Sequence, residues 1–199
     1  MKHKFLVPVF WLTLAVPALA EKISLAEISR YLNALTTAEA GFIQTSADGS
    51  RASGKVYIHR PNRMRFEYAP PEEALVLASA GKVAIFDSKS NQPPEEYPLR
   101  RTPLNLILGR NIDLARARMV VAHEDMGNAT AVVVQDPEHP EYGTLRMIFT
   151  ANPTALREWV TVDQDGFETR IALSELRTGM SFPPSLFSIT FERDRRGGN

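Results

Sequence analysis

The stretch from Ser53 to Tyr68 constrains this chain more tightly than any other segment. It reads as two β-strands joined by a corner at Arg60-Pro61-Asn62. In the second strand Met64, Phe66 and Tyr68 alternate with Arg65 and Glu67. Strand side chains point to alternate faces, so three large soft groups share one face and two charges the other. A broad apolar face ending beside a lone arginine suggests a greasy container, not a polar catalytic pocket.

The N-terminus has the marks of a targeting signal. Lys2, His3 and Lys4 form a basic start. Phe5 to Val16 is an apolar run of about a dozen residues, too short to span a bilayer as a helix. Pro17-Ala18-Leu19-Ala20 then supplies an Ala-x-Ala cleavage pattern. Residues 1–20 are therefore predicted as a signal peptide cleaved after Ala20, and residues 21–199 as a single exported domain. Removing twenty of the 199 residues leaves 179, enough for one sizeable core. The chain has no cysteine, which excludes disulfides, thiol catalysis, zinc–thiolate sites and acylation of its own N-terminal cysteine. Loss of Lys2 and Lys4 takes the formal charge from zero to −2, so no basic field invites nucleic acid.

Ser24 and Glu27 fit a capping box ahead of a stripe of Leu25, Ile28, Leu32 and Leu35. That spacing predicts an amphipathic helix over residues 25–36. Strands are predicted at 41–45, 54–60 and 64–68, the last ended by Pro70-Pro71. Residues 75–78 and 83–87 flank a hairpin turn at Ala80-Gly81. Residues 89–98 read as a polar, proline-rich loop. Thr102 is predicted to cap a short helix, with Pro103 in its first position, Leu104, Leu106, Ile107 and Leu108 in its body and Gly109 at its end. A further helical turn is expected at 112–117. Strands follow at 119–123, 130–135, 144–149, 156–162 and 169–176. The segment 186–191 alternates like another strand, and residues 192–199 read as a frayed, charged tail. Consecutive strands with short turns argue a mainly β (α+β) antiparallel meander.

Catalytic chemistry finds little support. Outside the signal only His59, His123 and His139 remain, on separate segments without metal-ligand spacing. His59 reads as a solvated strand residue. Asp163-Gln164-Asp165-Gly166 lacks the later carboxylates of a calcium loop. Ser79-Ala80-Gly81-Lys82 lacks the glycine spacing of a phosphate loop. Glu72-Glu73 and Glu95-Glu96 look like solvated loop carboxylates. The reading is a non-enzyme with no cofactor and no metal.

In order, Phe42-Ile43-Gln44, Ser53-Gly54, Arg60-Pro61-Asn62, Glu67-Tyr68, Gly81-Lys82, Phe86-Asp87 and Thr102-Pro103-Leu104 make the chain resemble the LolA-type periplasmic lipoprotein carriers. The resemblance implies a strongly curved antiparallel sheet forming an incomplete β-barrel, a half-barrel, with a lid of short α-helices. It implies a monomeric periplasmic chaperone that takes acylated lipoproteins from an inner-membrane ABC-type releasing complex (LolCDE-like). Delivery would be to an outer-membrane acceptor (LolB-like) or directly to the outer membrane. It also implies that Arg60 latches the lid by donating to helix carbonyls near Leu32 and Leu104 to Leu108. Leu32, Met64, Phe66, Tyr68, Leu104, Ile107 and Leu108 would meet the acyl chains or the lid. The same residues would equally fill the core of any sheet packed on helices. Where the family often has an aromatic or leucine this chain has Met64, and Ala80 replaces a usual turn aspartate. The C-terminal tail is short. Two other readings stand beside this one: a half-barrel regulatory module of the RseB kind, disfavoured by the lack of room for a second domain, and an exported hydrolase with scattered catalytic groups.

Overall fold

A computed structural model describes residues 22–90 and 92–197. The expected signal peptide and its cleavage point lie outside those residues. Among the described residues no helix is long and apolar enough to cross a membrane.

The chain enters through helix α1 (Leu25–Ala34) and then builds strands β1 (Thr37–Ser46), β2 (Arg51–His59), β3 (Arg63–Tyr68), β4 (Leu75–Ser79), β5 (Lys82–Phe86) and β6 (Glu95–Pro98). A 3-10 turn (Leu99–Arg101) and the one-turn helix α2 (Asn105–Leu108) interrupt the strands. Then come β7 (Val120–Asp125), β8 (Thr130–Gln135), β9 (Thr144–Thr150), β10 (Ala155–Val162), β11 (Glu168–Leu173) and the short β12 (Arg177–Thr178). A second 3-10 turn (Pro184–Phe187) leads into α3 (Ile189–Gly197). All pairings are antiparallel, in the spatial order β6-β5-β4-β3-β2-β1-β11-β10-β9-β8-β7, with β12 beside β1. Among the described residues β6 and β7 are the two open edges, so the sheet is not closed into a barrel, as the family resemblance implies.

The inner face follows from alternation. Leu145, Met147 and Phe149 on β9 and Met64 and Phe66 on β3 are buried in one cluster with Ile28 and Leu32 of α1 and its C-cap residue Leu35. Phe66 meets Phe42 and Trp159 edge-on, at 5.4 and 6.1 Å between ring centres. Gly54 permits the tight approach of β2 to its neighbours. Phe42 and Tyr68 are its register partners on either side, and their rings meet edge-on at 5.1 Å. A Cβ at Gly54 would stand 2.0 Å from the Glu67 carbonyl oxygen and 2.9 Å from the Phe42 ring.

The outer face of β3–β5 is covered as well, which explains the nearly continuous apolar runs Leu75-Val76-Leu77-Ala78 and Val83-Ala84-Ile85-Phe86. Leu75, Leu77, Ala84 and Phe86 form a second cluster with Phe187, joined by Phe182, Leu186 and Ile189. This corrects two expectations. The segment 186–191 is not a strand, and residues 192–197 are not frayed: they continue a helical arm docked on the sheet. Its clasp is an ion pair in which both side chains are almost fully buried. Arg65 donates to the Leu186 carbonyl at 3.0 Å and to Glu192 at 3.3 Å. Glu67 flanks the same guanidinium at 2.7 Å, so the two outward charges of β3 are structural. Arg195 and Arg196 also donate to Glu192.

Three further corrections concern short elements. Residues 95–98 are strand β6, held to β5, and not loop; Glu96 there pairs with Lys82 at 2.9 Å. Thr102 does not cap α2, because its hydroxyl donates backward to the Leu99 carbonyl at 2.8 Å. His59 is half-buried rather than solvated, 5.6 Å from the Phe187 ring, and its Nδ1 lacks a hydrogen-bond partner. Burial and then the Arg63 charge push its pKa down. By contrast Ser24 caps α1 as read, accepting from the Glu27 amide at 3.2 Å, and residues 113–117 make the expected single turn.

Two predictions follow from this packing. Gly54→Ala forces apart paired backbone and is expected to lose about 1–3 kcal/mol or more, measured as a fall in thermal midpoint. For Glu192, burial pushes the carboxyl up, but hydrogen bonds from Arg195 and Arg196 and the Arg65 charge outweigh it and hold the group below its ordinary 4.5. Its stabilising contribution is therefore complete above that value and disappears as pH falls through the lowered folded pKa. Glu192→Gln should lower stability by about 1–3 kcal/mol at neutral pH and flatten the acid limb of a stability–pH curve. An unchanged acid limb would refute the assignment.

Candidate functional site

The connection from β6 to β7, residues 99–119, runs from one open edge of the sheet to the other. Its start is tied to the β4–β5 turn by Leu99 N–H donating to Gly81 at 2.9 Å, and its end to β8 by Gln135 N–H donating to Met119 at 2.8 Å. It buries Leu99, Ile107, Leu108, Ile112 and Leu114 inward. Together with α1 it closes the gap as a lid.

Arg60 stands at the junction of lid and sheet and is buried. One terminal nitrogen donates to the Leu32 carbonyl; the other donates to the Gly109 carbonyl at 2.6 Å. Weaker contacts reach Asn33 Oδ1 at 3.4 Å and the Arg110 carbonyl at 3.5 Å. The chemistry is that of a helix terminus. The last carbonyls of a helix lack intrahelical donors and carry partial negative charge. The last turn of α1 has no basic residue of its own, so Arg60 supplies the cation from 28 positions away. Burial lowers the Arg60 pKa, yet an arginine remains charged. Its Nε–H is buried without a partner. An unpaired buried donor costs about 1–3 kcal/mol, which acts against the closed arrangement.

Two side chains that sequence reasoning missed complete the junction. Asn33 donates to the Ile112 carbonyl at 2.7 Å and accepts from the Ile112 amide at 2.9 Å. Ser29 accepts from the Leu114 amide at 2.9 Å while donating to Leu25 at 2.7 Å. Ser29 lies four residues after Leu25 and four before Asn33, on the edge of the apolar stripe. Polar residues at that spacing beside the apolar stripe were the available signal.

The structure brings Leu32, Met64, Phe66, Ile107 and Leu108 together in the core. Leu104 and Tyr68 pack against it, partly buried. Tyr68 donates to Gln44 at 2.6 Å, and burial, with a smaller push from Tyr97, raises its pKa to about 12. The inner space is thus filled by the lid's own side chains. The histidines occupy three separate settings: His59 beside Phe187, His123 bonded to the Ile23 carbonyl at 2.9 Å, and His139 stacked on Tyr142 at 4.7 Å.

The family model of the outer membrane lipoprotein carrier protein LolA matches residues 33–190. The chain belongs to the LolA family. An outer-membrane lipoprotein carrier protein of Chromobacterium violaceum is 27% identical over 183 residues, covering 88% of this chain and 86% of its own length. One from Leptothrix cholodnii is 30% identical over 153 residues, covering 73% of this chain and 70% of its own. Among solved structures, a DUF1329 family protein from Desulfovibrio piger has the same fold at a TM-score of 0.50 and 10% identity, covering 82% of this chain and 94% of that one. A LolA superfamily protein from Nitrosomonas europaea superposes at 0.44 with 8% identity, covering 83% and 98%.

The junction in this LolA-family chain makes a kinetic prediction. Arg60→Leu removes charge-assisted hydrogen bonds worth about 1.5–3 kcal/mol each. Amide hydrogen exchange at Ile112 and Leu114, whose partners sit on α1, should quicken by tenfold or more, while β9 and β10 amides keep their rates. Uniform acceleration would mean that Arg60 holds the whole fold rather than the lid.

Proposed function

We propose that this protein carries acylated lipoproteins from the inner to the outer membrane, sheltering their acyl chains in the half-barrel. The observation that carries the reading is Arg60 joining two lid elements over an otherwise apolar interior. Residues 1–20 act as an export signal, and residues 21–199 work in the periplasm as one domain. The carrier performs no covalent step and needs no cofactor. An ABC-type inner-membrane complex (LolCDE-like) loads it, and a LolB-like acceptor or the outer membrane itself unloads it.

The physics is a matter of exchange. Each acyl methylene left in water costs about 0.8 kcal/mol, so a triacylated terminus cannot cross an aqueous space unshielded. Met64, Phe66, Ile107 and Leu108 offer aliphatic and aromatic surface with no polar atom to satisfy, and methionine adapts to irregular contents. Entering chains replace lid side chains, apolar for apolar, and the polar connections to be broken are those made by Arg60, Asn33 and Ser29 and the bond from the Asn62 amide to the Leu108 carbonyl. Those groups reach water once the lid swings.

Depletion of the protein in its own cells should leave lipoproteins in the inner-membrane fraction. Arg60→Leu should still take up a lipoprotein or a fluorescent acyl probe but fail to pass cargo on. Undisturbed lipoprotein sorting in depleted cells would sink the carrier role, and normal transfer by Arg60→Leu would sink the latch.

A further inference from the structure

The lid is arginine on the outside. Residues 99–119 contain Arg100, Arg101, Arg110, Arg116 and Arg118 against a single acidic residue, Asp113, in a chain whose formal charge is zero. All five arginines are exposed. Among the described residues, the only ion pair they make is Arg116 with Asp113, at 3.8 Å and with both side chains largely in water. Elsewhere the surface is arranged differently. Arg146 has Glu124, Arg170 has Glu158, Arg177 has Glu39 and Arg193 has Glu96. Two acids from outside the segment, Asp136 and Glu96, line clefts with Arg100, and both are engaged elsewhere: Asp136 by the amides of Glu138 and His139, Glu96 by Lys82 and Arg193. Positive charge is thus left uncompensated over the gap between β6 and β7, where cargo would enter and leave.

We propose that this lid face docks on an anionic phospholipid surface. Three features favour a bilayer over an acidic protein. The cations are all arginine, whose planar fork pairs phosphate oxygens two at a time. They are spread along a 21-residue connection rather than gathered into a pocket, which suits a flat array of headgroups. Between them lie Leu104 and Leu106, and Met119 follows Arg118; all three are only partly buried, which puts apolar surface beside the charge. The proposal rests on the carrier reading for its purpose. Docking by this face would set the lid against the headgroups, so that acyl chains pass between bilayer and half-barrel without crossing open water.

The test is flotation of the processed protein with vesicles of phosphatidylcholine alone and of phosphatidylcholine with roughly one third phosphatidylglycerol. Binding should require the anionic lipid and should vanish at about 1 M salt, where the screening length is about 3 Å. Each arginine changed to glutamine should lower the partition coefficient about fivefold. The variant with Arg100→Gln, Arg101→Gln, Arg110→Gln, Arg116→Gln and Arg118→Gln together should lose about a thousandfold or more by the same per-charge factor. Its thermal midpoint and its uptake of a fluorescent acyl probe should match those of the parent. Equal binding to neutral vesicles, retained binding by the fivefold variant, or no vesicle binding by the parent would overturn the proposal. The last result would overturn it even if the lid proved to bind an acidic protein. Vesicle binding without probe uptake would instead sink the carrier reading and leave the docking face standing.

Discussion

Everything in this molecule depends on a sheet that does not close. Among the described residues β6 and β7 have no partner on one side, and an antiparallel sheet with two free edges and an apolar inner face cannot stand in water uncovered. The chain solves this with its own connection between those edges. Because residues 99–119 must join β6 to β7, the polypeptide has to cross the opening, and it crosses with Leu99, Ile107, Leu108, Ile112 and Leu114 turned inward. The cover is therefore a connection placed by topology rather than an independent domain. A loop with only a one-turn helix in it has little packing of its own, which makes it the natural low-stability element of the fold.

The opposite side of the sheet is built to stay shut. β4 and β5 carry apolar side chains on both faces, and the C-terminal arm covers the outer set through Phe187, Leu186 and Ile189. The two polar junctions of the molecule differ accordingly. At Arg65 the guanidinium meets carboxylates and a carbonyl, and Glu192 is in turn satisfied by Arg195 and Arg196. At Arg60 the guanidinium meets carbonyls and an amide oxygen, with no carboxylate among its partners and one donor unpaired. A buried charge balanced by opposite charge resists separation, whereas a cation held by dipoles gives up less on leaving. The fold thus places its firm clasp outside and its weaker one at the lid.

How much of this was legible in the sequence follows from the range of each interaction. The stripe on α1 and the alternation of Met64, Phe66 and Tyr68 are local periodicities, and the structure reproduces both, with Tyr68 only partly buried. Arg60 was placed by a motif, and its carbonyl partners lie at Leu32 and just past Leu108, at Gly109 and Arg110. The C-terminal arm was not legible. Phe187, Ile189 and Phe191 alternate as a strand would, but the segment coils into 3-10 and α-helix because its partners are on β3–β5, more than a hundred residues earlier. The burial of Glu192 depends on Arg65, 127 positions away, and no local window contains that pair. β6 was hidden by flanking prolines and paired glutamates, since an edge strand takes its identity from the neighbour it bonds. Asn33 and Ser29 were visible as letters, but their work is on Ile112 and Leu114 across the lid.

The energetics of opening bear on how such a carrier could run without a fuel of its own. Burying an acyl chain of about fifteen methylenes gains about 12 kcal/mol. The lid's charge-assisted hydrogen bonds contribute about 1.5–3 kcal/mol each, and the unpaired Arg60 Nε–H subtracts from their sum. Measured against water, one chain therefore outweighs those hydrogen bonds, while the buried lid side chains it displaces, Ile107 and Leu108 among them, take back part of the gain. The same inequality works against release. A loaded half-barrel will not give its contents to water, because that reverses the whole gain while relatching recovers only a fraction of it. Release therefore demands that the chains move straight into another apolar environment held against the opening. The arginine-rich outer surface of the lid bears on this step, because contact at the opening decides whether transfer can occur at all. Under the proposed carrier role the latch would set when the interior is available, and the receiving surface would set the direction of travel.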